Sequence, residues 1–234
     1  MTRVSLTLNP PRNPGRRSLG AVLGANASAA DTGTDTDTGM DTDMDTDGEP
    51  AEPGAPAVPP SVRLLVVCTG NAARSVMAGF MLEYLAEAGG VGLRVATAGT
   101  HAVEGQPMGL RTRAALAGIE ELSDLPVSQH RSHQLEASDL LRADLVVAME
   151  ADHVRYVRRR HPEAAARTAT LGRLCRVLPP GPKSLQARVA ALGLADAVLD
   201  QAEDVADPAG HEEEFYAACA SELWSLCQDL VDRL

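Results

Sequence analysis

Aromatic residues are scarce: six in 234 positions, namely Phe80, Tyr84, Tyr156, Phe215, Tyr216 and Trp224. All lie beyond residue 61, so residues 1–61 lack the large side chains a core needs. Basic charge is also short. Lys and Arg number 21 against 32 Asp and Glu, for a net charge of −11. That balance argues against a nucleic-acid binder, which displaces counterions with a basic surface. Long apolar runs are missing; none approaches the ~18–20 residues that span a bilayer, so no membrane partner is expected. The four cysteines, Cys68, Cys175, Cys219 and Cys227, fit neither a zinc ribbon nor a Cys-x-x-Cys redox pair. On one helix Cys219 and Cys227 would stand roughly 12 Å apart, beyond the ~7 Å a disulfide tolerates. Reduced thiols point to the cytoplasm.

What residues 1–61 do contain, in their second half, is Asp, Thr, Gly, Pro and Glu, with Thr-Asp alternation from Asp31 to Asp47. Their net charge is −5, leaving −6 for residues 62–234. Such a segment cannot bury enough apolar surface to offset the entropy of ordering, so a disordered acidic tail is expected. Two motifs in it carry no function. Arg16-Arg17-Ser18-Leu19 opens a faint twin-arginine-like stretch, but Gly20, Gly24 and Asn26 interrupt its apolar core. Asp43 to Gly48 matches half of an EF-hand loop, yet its twelfth position is Gly54 instead of Glu. Pro50 and Pro53 bar the exiting helix, and a solvated linker is the reading.

From Val62 the pattern changes. Residues 62–67 form a near-continuous apolar run, broken only by Arg63, as in a strand buried on both faces. Residues 74–87 carry Met77, Met81, Tyr84 and Leu85 at helical spacing. Further strands are predicted at 93–98, 144–149 and 167–171. Further helices are predicted at 109–117, 135–141, 151–160, 184–198 and 212–234. The last places Phe215, Cys219, Leu223, Leu226 and Leu230 on one stripe. Strands alternating with helices predict an α/β domain over 62–234: a four-stranded parallel sheet, doubly wound, with helices on both faces. Sites in such sheets lie at the carboxyl ends of strands, near helix N-termini.

The first strand ends at Val67, and Cys68-Thr69-Gly70-Asn71-Ala72-Ala73-Arg74-Ser75 follows. Five residues between Cys68 and Arg74 let the backbone curl so that its N–H groups converge on one point. The next helix adds its unpaired N–H groups and the positive end of its dipole. A tetrahedral oxyanion suits that cradle, with Arg74 holding two of its oxygens. The same field favours thiolate over thiol at Cys68. Gly70 and Asn71 tolerate unusual backbone angles, and Ser75 can donate to the sulfur. A thiolate attacking phosphorus needs an acid for the leaving oxygen. Asp207, in the loop Val205-Ala206-Asp207-Pro208 before the last helix, is the candidate, with Pro208 stiffening the turn.

Together VVCTGNAARS (66–75), TAGT (97–100), QHRSHQL (129–135), ADLVVAM (143–149) and VADP (205–208) resemble the low-molecular-weight protein tyrosine phosphatases. The resemblance implies hydrolysis of phosphotyrosine, or a related phosphomonoester, through a cysteinyl-phosphate, with no metal or cofactor. It makes Cys68 the nucleophile, Arg74 the phosphate clamp, Ser75 the thiolate stabiliser and Asp207 the acid, then base. Thr69, Gly70, Asn71, Ala72, Ala73, Arg74 and Ser75 would bind the phosphate. Asn71 would hold the loop's shape and His130 would brace it from behind. His133 has no match and is read as a solvated surface residue. The expected partner is a phosphotyrosine protein or a small phosphoester.

The departures are specific. Ala73 stands where the family often has a second Cys, and Val76 where Pro follows Ser75. Ala209 and Gly210 replace aromatics after Asp207-Pro208, and the segment 101–106 also lacks one. Lost ring stacking is worth about 0.5–1.5 kcal/mol per pair. His101 and His211 are candidates for the mouth, with plain surface positions the equal alternative. Arsenate reduction by a small thiol is the rival activity on the same fold; a cysteine relay would need two further cysteines near the site, and Cys175 reads as core. A non-catalytic phosphate-binding module is the rival of another class. Val67 before Cys68, and an Asp downstream instead of upstream, disfavour the dual-specificity and classical tyrosine phosphatases. A rhodanese-like domain would place its Cys loop late.

Overall fold

The computed structural model describes residues 61–234; the acidic segment and its two motifs lie outside the described residues. Val62–Cys68 forms β1, and its alternating side chains feed two cores. Leu64, Val66 and Cys68 face one; Leu65 and Val67 face the other. A strand buried on both faces must be apolar throughout, which explains the run read from sequence. Arg63 is its single break, and it pairs with Asp144 at 3.0 Å while its backbone N–H donates to the same carboxylate.

The other elements are α1 (Arg74–Gly89), β2 (Leu93–Gly99), α2 (Leu110–Ala117), α3 (Ala137–Arg142), β3 (Leu145–Ala148), α4 (Ala151–Arg160), β4 (Thr168–Thr170), α5 (Leu171–Val177), α6 (Leu185–Ala190) and α7 (Glu213–Val231). All four strands are parallel, in the order β2-β1-β3-β4. Met77, Met81 and Leu82 of α1, Leu174 of α5, and Leu223 and Leu230 of α7 pack with Leu64 and Val66. Leu140 of α3 and Val157 of α4 pack with Leu65 and Val67. The sheet is therefore covered on both faces, as predicted.

Three elements differ from the sequence reading. The predicted strand at 167–171 ends at Thr170, whose Oγ1 accepts from the Arg173 backbone N–H at 3.2 Å and so caps α5. That helix was not predicted at all. The predicted helix at 184–198 stops at Ala190, and the chain turns through Gly193 at φ 59°. On α7, Cys219, Leu223 and Leu230 are buried, but Phe215 is 56 % exposed and stacks on His211 with centroids 4.6 Å apart. Cys227 takes part in the buried stripe instead.

The strand order places the crevice. β1 has β2 on one side and β3 on the other. After β1 the chain leaves toward the first core through α1; after β3 it leaves toward the second through α4. The two loops diverge at the carboxyl ends of adjacent strands, where open parallel sheets bind ligands.

Candidate active site

Residues 68–75 fill one side of that crevice. Their carbonyl groups are tied outward to the scaffold. Cys68 O accepts from Thr100 N–H and Thr69 O from His101 N–H, both at 2.9 Å. Asn71 O accepts from His130 Nε2 at 2.9 Å and from Ser132 Oγ at 2.8 Å. Ala72 O accepts from Thr112 Oγ1 at 3.0 Å, and Ala73 O from Met77 N–H at 2.8 Å. By contrast, among the described residues no backbone N–H from Thr69 to Ala73 donates to a protein acceptor. With the carbonyl oxygens committed to one side, the free donors belong to the other. That is the arrangement of an anion-binding nest at a helix N-terminus.

Asn71 is the pivot of the loop. It is the one non-glycine with positive φ among the described residues, at 49°. Its Oδ1 accepts from His133 N–H at 2.9 Å, and its Nδ2 donates to Ser75 Oγ at 3.0 Å. Because Ser75 Oγ accepts there, its own proton is free for Cys68 Sγ, also at 3.0 Å. Gly70, expected to share the unusual geometry, does not need it; Asn71 alone takes the left-handed turn. Gly99 matters in a way the sequence did not reveal. A Cβ there would sit 2.7 Å from Thr69 O and 2.9 Å from Asn71 N.

Arg74 is 1 % exposed. Its Nη1 donates to Glu150 Oε1 and, at 3.0 Å, to Val205 O. Its Nη2 donates to Asp207 Oδ2 at 2.6 Å, with Thr69 Oγ1 at 3.5 Å. Asp207 Oδ1 accepts from Ala209 N–H at 3.1 Å, and Pro208 behind it is buried. The loop before α7 thus carries Asp207 to the guanidinium face.

The structure brings Cys68, Arg74, Ser75, Asn71, His130 and Asp207 together. Burial lowers the pKa of His130, so the neutral ring can brace the Asn71 carbonyl through its Nε2–H. His133 is less free than its reading as a solvated residue suggested. Its ring bridges Asp139 at 2.9 Å and Glu104 at 3.3 Å, and its backbone holds Asn71. His101 packs edge-on to Tyr156 with centroids 5.6 Å apart. Glu150 and His153 were missed. They cap α4 in the i, i+3 spacing of a capping box directly after β3, a signal legible once strand order is known.

The other three cysteines are buried thiols. Burial pushes Cys175 up to about 11 and Cys219 up to about 12, and raises Cys227 as well. All four cysteines are free.

Several known proteins resemble this chain. Residues 63–177 match the family described as low molecular weight phosphotyrosine protein phosphatase. A protein-arginine-phosphatase from Geobacillus stearothermophilus is 32 % identical over 174 residues, covering 74 % of this chain and 95 % of that protein. A probable low molecular weight protein-tyrosine-phosphatase from Ralstonia solanacearum is 33 % identical over 113 residues, 47 % of this chain and 71 % of the relative. The crystal structure of a low molecular weight protein tyrosine phosphatase from T. tengcongensis superposes with a TM-score of 0.59 at 31 % identity, over 74 % of this chain and all of that one. The chain belongs to the low molecular weight phosphotyrosine protein phosphatase family and is a phosphatase.

Proposed function

We propose that the chain removes phosphate from phosphotyrosine in proteins through a cysteinyl-phosphate, with Cys68 as nucleophile. The observation that carries this reading is the loop at 68–75, its carbonyls held outward and its N–H donors from Thr69 to Ala73 without a partner among the described residues, with Arg74 across it. Cys68 Sγ attacks phosphorus; the S–P bond forms as the P–O bond breaks, and Asp207 gives its proton to the leaving oxygen. Water then attacks phosphorus, Asp207 takes the water's proton, and the sulfur leaves as thiolate beside the Ser75 hydroxyl. The loop amides and Arg74 stabilise the equatorial oxygens throughout.

Two pairs of rings support an aromatic substrate despite Ala209 and Gly210. His101 with Tyr156 stands beside Thr69, and His211 with Phe215 follows the Asp207 loop. A second reading has its own support. Glu150 and Asp207 both present carboxylates at the Arg74 guanidinium, and an anionic rim suits a cationic leaving group such as the guanidinium of phosphoarginine. The Geobacillus relative is named for that activity.

Arsenate reduction through a cysteine relay has little to recommend it, since Cys175, Cys219 and Cys227 are buried and held as thiols. The domain proposed for the chemistry is 62–234, and four free thiols support a reducing compartment such as the cytoplasm. Among the described residues no helix is long and apolar enough to cross a membrane.

Peptides carrying phosphotyrosine, phosphoarginine or phosphoserine, and arsenate with glutathione, test the reading side by side. Turnover of phosphotyrosine that vanishes in Cys68→Ser is expected. Faster turnover of phosphoarginine moves the assignment to the second reading. Turnover of arsenate alone overturns both.

A further inference from the structure

Thr69 follows the nucleophile, and its hydroxyl has an unusual set of neighbours. His153, 3 % exposed, lies below it on α4. The backbone N–H of Glu150 donates to His153 Nδ1 at 3.1 Å. A nitrogen that accepts a hydrogen bond carries a lone pair, so the ring is neutral and its proton sits on Nε2. Nε2 lies 3.0 Å from Thr69 Oγ1 and 3.6 Å from Glu150 Oε2, so the imidazole donates to threonine. Arg74 Nη2, 3.5 Å from the same oxygen, can also only donate. Donors therefore face both lone pairs of Thr69 Oγ1, and the hydroxyl proton is left to point elsewhere.

Arg74 Nη2 shows where. It is shared between Thr69 Oγ1 and Asp207 Oδ2. A phosphoryl oxygen that replaces Asp207 on that nitrogen arrives beside the threonine hydroxyl. We propose that Thr69 donates a hydrogen bond to the phosphoryl group on its Asp207 side, and that His153 is the positioning residue that turns the hydroxyl into a donor. The inference rests on the phosphatase reading and adds a substrate contact to it, distinct from the backbone amide of the same residue.

The charges around His153 keep it in this state. Burial first, then the Arg74 charge, lowers its pKa to about 4; Asp207 and Asp152 oppose the shift and His101 adds to it. The ring therefore stays neutral through the range in which a cysteine phosphatase works, and its Nε2–H is a permanent donor.

The test uses the full chain and two side chains at each position. Thr69→Val removes the hydroxyl, and Thr69→Ser keeps it. His153→Asn keeps an acceptor for the Glu150 N–H but cannot reach Thr69. His153→Gln restores an N–H near the Nε2 position. Thr69→Val and His153→Asn should each lower kcat/KM on p-nitrophenyl phosphate by about 10- to 100-fold, the range of one hydrogen bond to a charged group. Each should weaken vanadate binding by a similar factor. Thr69→Ser and His153→Gln should recover most of the loss, and the double variant Thr69→Val/His153→Asn should lose no more than Thr69→Val alone. Nitrogen-15 spectra of His153 should show the proton on Nε2. Wild-type kinetics and vanadate affinity in Thr69→Val, losses that multiply in the double variant, or a proton on Nδ1 each overturn the proposal. If the wild-type chain fails to turn over p-nitrophenyl phosphate, the phosphatase reading falls, and the vanadate affinities still decide the role of Thr69.

Discussion

Arg74 Nη2 and Asp207 Oδ2 meet at 2.6 Å although the two residues are 133 positions apart in the chain. The contact puts the acid candidate on the guanidinium proposed to hold the phosphate. In the proposed mechanism Asp207 and substrate compete for one nitrogen, and substrate binding frees the carboxyl to face the leaving group.

Replacing Asp207 by Asn separates these two roles. Loss of general acid catalysis should lower kcat/KM on phenyl phosphate, which reports only the steps up to the cysteinyl-phosphate, by about 10²–10⁴-fold. The loss on p-nitrophenyl phosphate, whose leaving group needs little protonation, should be much smaller. Removing the competing negative charge should also tighten inhibition by inorganic phosphate. Equal losses on both esters would remove the acid role from Asp207.

Asn71 holds the loop from within, and Gly99 packs against its backbone. Asn71→Ala gives up the left-handed preference at φ 49° and leaves Ser75 Oγ and the His133 N–H without their partner. The expected cost is about 2–4 kcal/mol in urea unfolding, from one unsatisfied buried donor and the backbone strain. Gly99→Ala pushes a methyl against backbone atoms of Thr69 and Asn71, which cannot move without opening the nest. It should cost about 1–3 kcal/mol and most of the turnover. A Gly99→Ala protein with wild-type kcat would show that the loop tolerates displacement.

The contrast between those two residues shows how far the sequence could be read. Cys68, Arg74 and Ser75 were legible because they lie within eight consecutive residues at the junction between an apolar run and a helical pattern. Asp207 was legible from its place in the Val205-Ala206-Asp207-Pro208 loop before the last helix, once Cys68 called for an acid, and the resemblance gives it the same role. Gly99, Glu150 and His153 act through contacts made by the β2-β1-β3 order, which no local pattern encodes. The same holds for α5: a three-residue strand followed at once by a helix gives each element too few residues for its period to emerge. Phe215 failed differently. Helical spacing placed it on the stripe, but it lies in the first turn of α7, where His211 takes its ring.

His133 makes stability depend on pH in a defined direction. Burial alone would lower its pKa, but the hydrogen bond to Asp139, joined by Glu104, outweighs burial and raises it. A group raised in the folded state stabilises fully below its unfolded pKa and loses that contribution as pH rises through the folded value. The wild-type chain should therefore exceed His133→Ala in Tm at pH 5–6, by a margin that shrinks above about pH 7. Salt should weaken the margin, because the ring is partly exposed. A margin that grows with pH would mean that His133 is held neutral.

The proposed boundary at residue 62 yields the last prediction. The partners that tie the loop carbonyls outward, Thr100, His101, Thr112, His130 and Ser132, all lie after it, as do Glu150, Val205 and Asp207 around Arg74. Even the first strand is anchored from within, with Val62 N–H on Gly92 O at 2.8 Å. A chain beginning at Ser61 should thus keep kcat and KM on p-nitrophenyl phosphate within about twofold, the spread of changes that touch no buried group. It should also keep the pH profile, since no titrating group of the proposed chemistry precedes Cys68. A tenfold fall in kcat would place part of the catalytic machinery in residues 1–60; a rise in KM alone would place a substrate contact there.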